Sequence, residues 1–492
     1  MSLNYNFIWL LCYLLVLVGL AGYGFHRLSI VYLYWKNRNN KPQPKARFQE
    51  LPVVTVQLPM FNEKFVVDRL LESVAALDYP QDKLEIQILD DSTDDTTEQC
   101  YRKVEELKSR GFDAVCIHRT DRTGFKAGAL EAATKVAKGE FLLILDADFV
   151  PEPDLLQKTI HFFTDENVGL VQTRWGHINR EYNLLTRIQG MYLDGHFAME
   201  QTARNRSGRF FTFNGTAGIW RKCVIGDAGG WSHDTLTEDM DLSYRVQLRG
   251  WRFIYLNDVV TPAELPVDMD GFKSQQHRWT KGSIQVCQKI LLDIWRSNAP
   301  LKAKVEATTH LTCNYSYLLL ALLCFLVYPI CTQRIPENET VFMWFVNVAL
   351  FFMTSVAVCI FYMSAQIVVR PKSWWKELPY LPLLLTLSVG MAVNNAKAVL
   401  EAIFGHQSAF VRTPKYGVDR KEDRRHVSQL KRNGYRAIKS VVIPVLEIAC
   451  GTFFLNLIII MIRQGHYLSP ILMIPFLGFY YTGFCSLGRM IS

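Results

Sequence analysis

The sequence predicts an α/β domain, a parallel sheet covered by helices, set within an α-helical membrane region. Three observations predict it. Short β-rich runs alternate with helical patterns between Leu51 and Ala299, as in a sheet whose strands are joined by crossover helices. Carboxylates stand where those runs end, and ligands of such sheets bind beyond the carboxyl ends of the strands. Apolar stretches flank this region on both sides, each near the roughly 20 residues that span hydrocarbon.

A chain of 492 residues is too long for one ordinary domain. Its hydrophobic fraction, 49%, is only mildly high, so the apolar excess is local and a large polar domain accompanies it. Lys and Arg total 54 against 46 Asp and Glu, a formal charge of +8. That balance suits anionic lipid head groups and anionic nucleotide substrates. Nucleic acid is not an expected partner, because no basic helix interleaved with aromatics occurs in the polar domain. The 11 cysteines are scattered without a C-x-x-C pair, which supports neither a disulfide framework nor a zinc site. Cys100, Cys116, Cys223 and Cys287 read as reduced cytosolic thiols.

Taken in order, Phe7 to Tyr23 is apolar and is followed by His26, Arg27, Lys36 and Arg38. A cleavable signal carries its charges before the apolar run, so residues 1–36 read as an anchor with its N-terminus outside. Residues 48–300 form the cytosolic domain. In it Val53–Leu58, Glu85–Leu89, Ala114–His118 and Phe141–Leu145 read as buried strands. Phe65–Leu77, Glu98–Arg110 and Ala127–Lys138 read as the helices between them. Further apolar runs follow at Leu311–Ile330, Val341–Val369, Pro379–Phe404, Val441–Ile462 and Leu468–Leu487. Arg370, Lys372 and Lys376 put the end of the second run inside. Arg420, Lys421, Arg424, Arg425, Lys431 and Arg432 put the loop before Val441 inside as well. The run between them carries Asn394, Asn395, Lys397 and Glu401, which are costly in lipid. Its later half therefore reads as an amphipathic helix on the cytoplasmic surface. The expected organisation is two spans in 301–370, an interfacial helix and loop in 371–440, and two spans in 441–492. With the anchor that makes five spans and a cytoplasmic C-terminus; six spans is the alternative.

The polar domain carries five chemical motifs. Asp146-Ala147-Asp148 follows five apolar residues, and two carboxylates there can share a magnesium or manganese ion with a diphosphate. A solvated turn is the plainer reading of a lone D-x-D, but its companions favour function. Asp90 and Asp91 close the second strand and are assigned to the nucleotide, while Asp94 or Asp95 caps the next helix. Lys126 precedes a helix, where a cation suits a diphosphate; a surface lysine is the alternative. Asp239, in Thr237-Glu238-Asp239, is a candidate base for a sugar-acceptor hydroxyl, or else a residue that favours the helix dipole. In Gln275-Gln276-His277-Arg278-Trp279, the guanidinium can stabilise a leaving diphosphate and the indole can stack on a sugar. His277 reads as a packed or surface histidine.

In this order the motifs resemble those of the processive family-2 glycosyltransferases, and among them the cellulose-synthase superfamily, including plant cellulose-synthase-like mannan and glucan synthases. The likeness runs from about Tyr34 to the C-terminus. Phe213-Asn214-Gly215-Thr216-Ala217-Gly218-Ile219-Trp220-Arg221 strengthens the plant-like match, and T-E-D rather than G-D-D around Asp239 argues against the hyaluronan and chitin branches.

The resemblance implies a GT-A-like nucleotide-sugar-binding domain on a mixed, mainly parallel sheet. Phe61 and Glu63 would line the base pocket with Asp90 and Asp91. Lys126, Asp146 and Arg278 would hold the diphosphate, and Asp146 and Asp148 the Mg2+ or Mn2+ ion. Asp239 would be the base. Phe213, Asn214, Gly215, Glu238, Gln275 and Trp279 would meet the acceptor. A gating loop, F-x-V-T-x-K in the family, is matched at Phe410, Thr413 and Lys415, with Arg412 in place of its valine. Regulation through a cyclic-nucleotide-binding domain after the last span is not expected.

The expected function is an inverting transferase that polymerises a β-linked, β-1,4 in the family's pattern, glucan or mannan from UDP-glucose or GDP-mannose. Its growing polysaccharide would cross a lipid bilayer, at the plasma membrane or the Golgi membrane. A non-processive transferase acting on a lipid and a non-catalytic membrane subunit are the rivals.

Overall fold

The structure, a computed structural model, describes residues 5–332, 352–406, 412–418, 423, 427, 441–464 and 470–491. Its centre is a seven-stranded sheet in the order β3-β2-β1-β4-β6-β5-β7. The strands are β1 Val54–Met60, β2 Leu84–Asp90, β3 Asp113–His118, β4 Phe141–Ile144, β5 Val168–His177, β6 Gly218–Arg221 and β7 Arg252–Ala263. β1 pairs in parallel with β2 and β4, β2 with β3, and β5 with β7. Only β6 runs antiparallel to its neighbours, β4 and β5. The sheet is therefore mixed and mainly parallel.

Alternation along β4 sorts its side chains between two layers. Phe141, Leu143 and Leu145 enter one core with Val54, Val56, Ile86 and Ile88. Leu142 and Ile144 enter the other with Leu130, Trp220 and Leu242. Helix α2, Val67–Ala75, buries Val67, Leu70, Leu71 and Val74 against the first core, a stripe at helical spacing. Helix α3, Thr96–Ser109, adds Cys100, Val104 and Leu107 to it. Helix α4, Phe125–Val136, turns Ala127, Ala129, Leu130 and Ala133 toward the second.

The four expected strands and three expected helices are present with small changes of boundary. β3 differs from its expected burial: it pairs only with β2, and Val115 is 38% exposed. Of the two candidate caps of α3, Asp94 does the work, accepting the Thr96 N–H at 3.0 Å. Asp95 instead stands 3.3 Å from the Lys64 ammonium.

Helix α1, Tyr5–Asn37, is the N-terminal apolar segment. Beyond the domain come Leu301–Thr312 and Tyr315–Thr332, then Ala357–Val369, Leu381–Gly390, Ala392–Ile403, Val442–Arg463 and Pro470–Ile491. Among the described residues two helices are long and apolar enough to cross a membrane, or four if each of two bent pairs is one span. The bends are 52° after Thr312 and 41° after Gly390. Much of the expected Val341–Val369 run, the start of Leu468–Leu487, most of the basic loop and Phe410 lie outside the described residues. In Ala392–Ile403 the two asparagines meet protein, while Lys397 is exposed. Asn394 and Asn395 are buried, and Asn394 Nδ2 donates to the Lys273 carbonyl at 3.2 Å. The opposite side exposes Leu400, Ile403 and Phe404, the last 79% exposed.

Candidate active site

A cavity of about 210 Å³ lies beyond the carboxyl ends of β1, β2, β4, β5 and β7, bounded also by the Met269–Arg296 helix and the 412–415 segment. At its centre, β4 runs out into Asp146 and Asp148, which both line it. The Asp146 N–H donates to Thr216 Oγ1 at 2.8 Å, fixing where the strand ends. Lys126 Nζ forms an ion pair with Asp146 and donates to the Gly215 carbonyl at 2.9 Å. Lys415 Nζ lies 2.5 Å from Asp148 Oδ2. Burial alone would lower the pKa of either lysine, but the carboxylates beside them prevail and hold both above the ordinary value. Lys126 is thus no plain surface lysine.

These two carboxylates fit a hard divalent cation, for they offer only oxygen and sit two residues apart on one strand end. No group of three or more His, Cys, Asp or Glu is poised around a common point among the described residues.

Asp239 stands at the start of the Glu238–Leu248 helix, half-buried, and takes the Met240 N–H at 2.8 Å. Burial first, and then the neighbouring Glu238 charge, pushes its carboxyl up to about 7, the range in which a general base works best at neutral pH. Gly215 makes room for it. At φ +80°, a Cβ there would lie 3.0 Å from Asp239 Oδ2, so glycine answers both the backbone angle and the approach. Arg278 reaches the same cavity from the Met269–Arg296 helix.

At one end stand Phe61, Glu63, Asp91 and Arg122. The Arg122 guanidinium lies 3.4 Å from the centre of the Phe61 ring. Arg119 grips Asp91 through two bonds, Nε to Oδ1 at 2.8 Å and Nη2 to Oδ2 at 2.6 Å. Burial pushes the Glu63 carboxyl up to about 8 despite Arg412 and Lys415 nearby. Asp90 does not join them. It is 0% exposed and is engaged by the Ser92 N–H at 3.0 Å, Thr97 Oγ1 at 2.7 Å and His118 Nδ1 at 2.7 Å. Asp90 shapes the turn that presents Asp91, and of the two expected nucleotide contacts only Asp91 lines the cavity.

The other end is aromatic. Trp279 and Trp175 both pack against Leu193, Phe197 and Leu265, and Trp175 sits between Phe149 at 5.1 Å and Phe197 at 4.6 Å. Asn214, Gly215, Glu238 and Gln275 line the same space. Asn214 is steadied by Gln201, whose Nε2 donates to its Oδ1 at 2.6 Å. Phe213 is not part of the wall, contrary to expectation. Only 1% exposed, it packs edge-on against Trp220 at 5.4 Å, as the hydrophobic pin beneath the Asn214–Gly215 turn.

Thr413 and Lys415 close the cavity from above. Their segment is latched by Glu264, whose two oxygens accept the N–H groups of Tyr416 at 2.9 Å and Val418 at 3.1 Å. Among the described residues three non-glycine residues have φ in the left-handed region: Asn62, Phe125 and Ala217. All three stand beside the cavity, next to Phe61, Lys126 and the Gly215 turn. Strain of this kind persists where surrounding structure enforces it, and it gathers at functional sites.

The residues that sequence reasoning missed are Arg122, Trp175, His177 and Glu264. Three of them stand at or beside the ends of β5 and β7, strands whose buried polar residues hid them. Thr173 and Thr261 pair across those strands at 2.8 Å, and Gln172 Nε2 donates to the Thr216 and Ala217 carbonyls. An apolar-run search passes over such strands.

The model of the family "Glycosyltransferase like family 2" matches residues 52–282, and the "Cellulose synthase" model matches residues 218–464, just over half of the chain. Glucomannan 4-beta-mannosyltransferase 2 of Arabidopsis thaliana is 42% identical over 286 residues, 55% of this chain and 53% of that protein. Glucomannan 4-beta-mannosyltransferase 1 of Oryza sativa subsp. japonica is 40% identical over 277 residues, 55% of this chain and 53% of that protein. The chain spans about half the length of the curated relatives it matches. Among solved structures, the mannosyltransferase PcManGT of Pyrobaculum calidifontis, in complex with GDP-Man and Mn2+, aligns with a TM-score of 0.57 at 20% identity. That alignment covers 80% of this chain and 100% of the other. The fold of the domain is GT-A-like.

Proposed function

This chain belongs to the cellulose synthase family, and we propose that it is an inverting, processive glycosyltransferase that extends a β-1,4-linked mannan-type polymer. GDP-mannose is the proposed donor, on the strength of the two glucomannan mannosyltransferase relatives; UDP-glucose is the alternative. The observation that carries the reading is one cavity shared by Asp146, Asp148, Asp239 and Arg278, with Trp279 and Trp175 at its far end.

The residues divide the reaction between them. Asp239 takes the proton of the acceptor hydroxyl, and the resulting oxygen attacks the anomeric carbon from the side opposite the diphosphate, so an α-linked donor yields a β-linkage. Arg278 and Lys126 stabilise the charge that grows on the departing diphosphate. Asp146 and Asp148 would hold Mg2+ or Mn2+, which when bound supplies further charge neutralisation to the diphosphate. The indole of Trp279 offers the acceptor sugar a flat apolar face, while Asn214, Glu238 and Gln275 supply polar partners to its hydroxyls. Thr413 and Lys415 cover the donor and exclude water. The apolar helices form the path by which the polymer leaves, with the N-terminus outside and the catalytic domain cytoplasmic.

The test is direct: purified chain with Mg2+ or Mn2+, labelled GDP-mannose or UDP-glucose in turn, and linkage analysis of the product. A β-1,4-mannose polymer is expected. Transfer of neither sugar would overturn the reading.

A further inference from the structure

The cover over the cavity departs from its family pattern at Arg412, which stands in place of valine. The cover lies along the cavity. At one end Lys415 stands on Asp148 at 2.5 Å. Three residues earlier, Arg412 stands on the wall made by Phe61, Asn62 and Glu63. Its Nη1 donates to the Asn62 carbonyl and lies 3.6 Å from Glu63 Oε2. That wall is tied to the turn after β2, since the Asn62 N–H donates to Ser92 Oγ at 2.9 Å and the Thr93 N–H to Asn62 Oδ1 at 2.8 Å. Arg412 therefore stands over the Phe61–Glu63 wall of the cavity, where Glu63 is within electrostatic reach of Lys415 and Asp148. Glu63 is buried there, and its Oε2 has no hydrogen-bond partner.

We propose that Arg412 and Glu63 read the nucleobase of the donor and select guanine over uracil. The proposal rests on the reading of this cavity as a nucleotide-sugar site. Guanine places two acceptors, O6 and N7, side by side, and a guanidinium meets them with two parallel hydrogen bonds. The adjoining edge places two donors, N1–H and the 2-amino group, side by side; Glu63, which burial holds protonated near neutral pH, releases its proton to solvent as it accepts both, since hydrogen bonds to the charged form favour it. Uracil has neither pair: its single N3–H lies between two carbonyls, which a carboxylate repels. A valine at position 412 could contribute only apolar contact and would leave Glu63 with Lys415 alone of the two cations near it.

The experiment measures the binding of GDP and of UDP, each with Mn2+, to the full chain in detergent by calorimetry, for the unaltered protein, Arg412→Val and Arg412→Lys. The lysine variant keeps the charge and loses the planar fork. The unaltered chain is expected to prefer GDP. Both variants are expected to lose GDP affinity by roughly ten-fold or more, the scale of one bidentate contact, with UDP affinity changed less than about two-fold. Equal losses for both nucleotides, or no loss for either, would overturn the proposal and leave the donor site standing. Binding of neither nucleotide to the unaltered chain would instead overturn the donor site, and this inference with it.

Discussion

Lys273 and Glu447 form a buried ion pair, Nζ 2.5 Å from Oε2, between the helix that carries Arg278 and Trp279 and the apolar helix Val442–Arg463. The same ammonium donates to the Thr482 carbonyl at 3.1 Å and to Ser486 Oγ at 3.0 Å. Glu447 is 0% exposed. The helix that carries Arg278 and Trp279 is thus fastened to both of the last two apolar helices through a single side chain.

Breaking one partner of such a pair strands the other charge, at a cost of roughly 3–5 kcal/mol. Lys273→Met and Glu447→Leu are each expected to lower the thermal midpoint of the detergent-solubilised protein markedly. The double substitution should be much less destabilised than the sum of the two, because no orphan charge remains. Simple additivity would show that the residues act independently.

Asp239→Asn should lower turnover by roughly 10² to 10⁴-fold while nucleotide binding persists. The pH dependence follows from a carboxyl pushed up to about 7. Turnover should rise with pH through that value as the base form fills. Stability should move the other way. Between the ordinary value near 4 and about 7 the folded state holds a proton that the unfolded state has released, so this group's contribution declines as pH rises. Asp239→Asn should remove both slopes, and the asparagine variant should equal or exceed the parent in thermal midpoint at pH 8. A flat rate profile in the parent would move the base elsewhere.

How much of this was legible in the sequence follows from what each residue does. Asp146 and Asp148 were legible because they end an apolar run, and such runs end at the ligand side of a parallel sheet. Asp90 and Asp91 looked alike because they are adjacent at a strand end; alternation sends them to different surroundings, one into the turn and the other to the cavity. Phe213 belonged to a recognisable motif, yet its neighbours Asn214 and Gly215 reach the cavity while Phe213 supports them. Arg204 and Glu306, 2.9 Å apart in the interior, and the Lys273–Glu447 pair were invisible, since a charge in an apolar neighbourhood declares no partner until the fold brings one.

The Asp148 site yields a prediction about the lysine that stands on it. Asp148→Ala should weaken donor binding as well as turnover, because a metal held by Asp146 and Asp148 would neutralise charge on the diphosphate. Excess chelator should abolish activity in the parent, and Mn2+ or Mg2+ should restore it. Full activity with chelator present would rule out the metal. Lys415→Met offers a separate measurement: it removes the cation from Asp148 and loosens the cover, so the donor KM should rise more than kcat falls.

Trp279 and Arg278 are adjacent on one helix, yet their surroundings give them different tasks. Trp279, like Trp175, packs against Leu193, Phe197 and Leu265, and its indole offers an apolar surface suited to a sugar ring. Arg278 shares its cavity with Asp146, Asp148 and Asp239, where on the proposed mechanism it would face the charge that grows as the diphosphate leaves. Trp279→Ala should therefore shorten the product and raise the acceptor requirement with donor affinity nearly kept. Arg278→Ala should slow release of the nucleoside diphosphate with every acceptor, water included. Product length by chromatography and diphosphate release by coupled assay separate the two effects. If both variants lost donor binding equally, the division of the cavity into donor and acceptor halves would fail. If the parent made only a single-sugar product on an extractable lipid, with nothing sensitive to β-mannanase or β-glucanase, the polymer reading would fall. The roles of Asp146, Asp148 and Asp239 would survive, since either product needs the same donor chemistry.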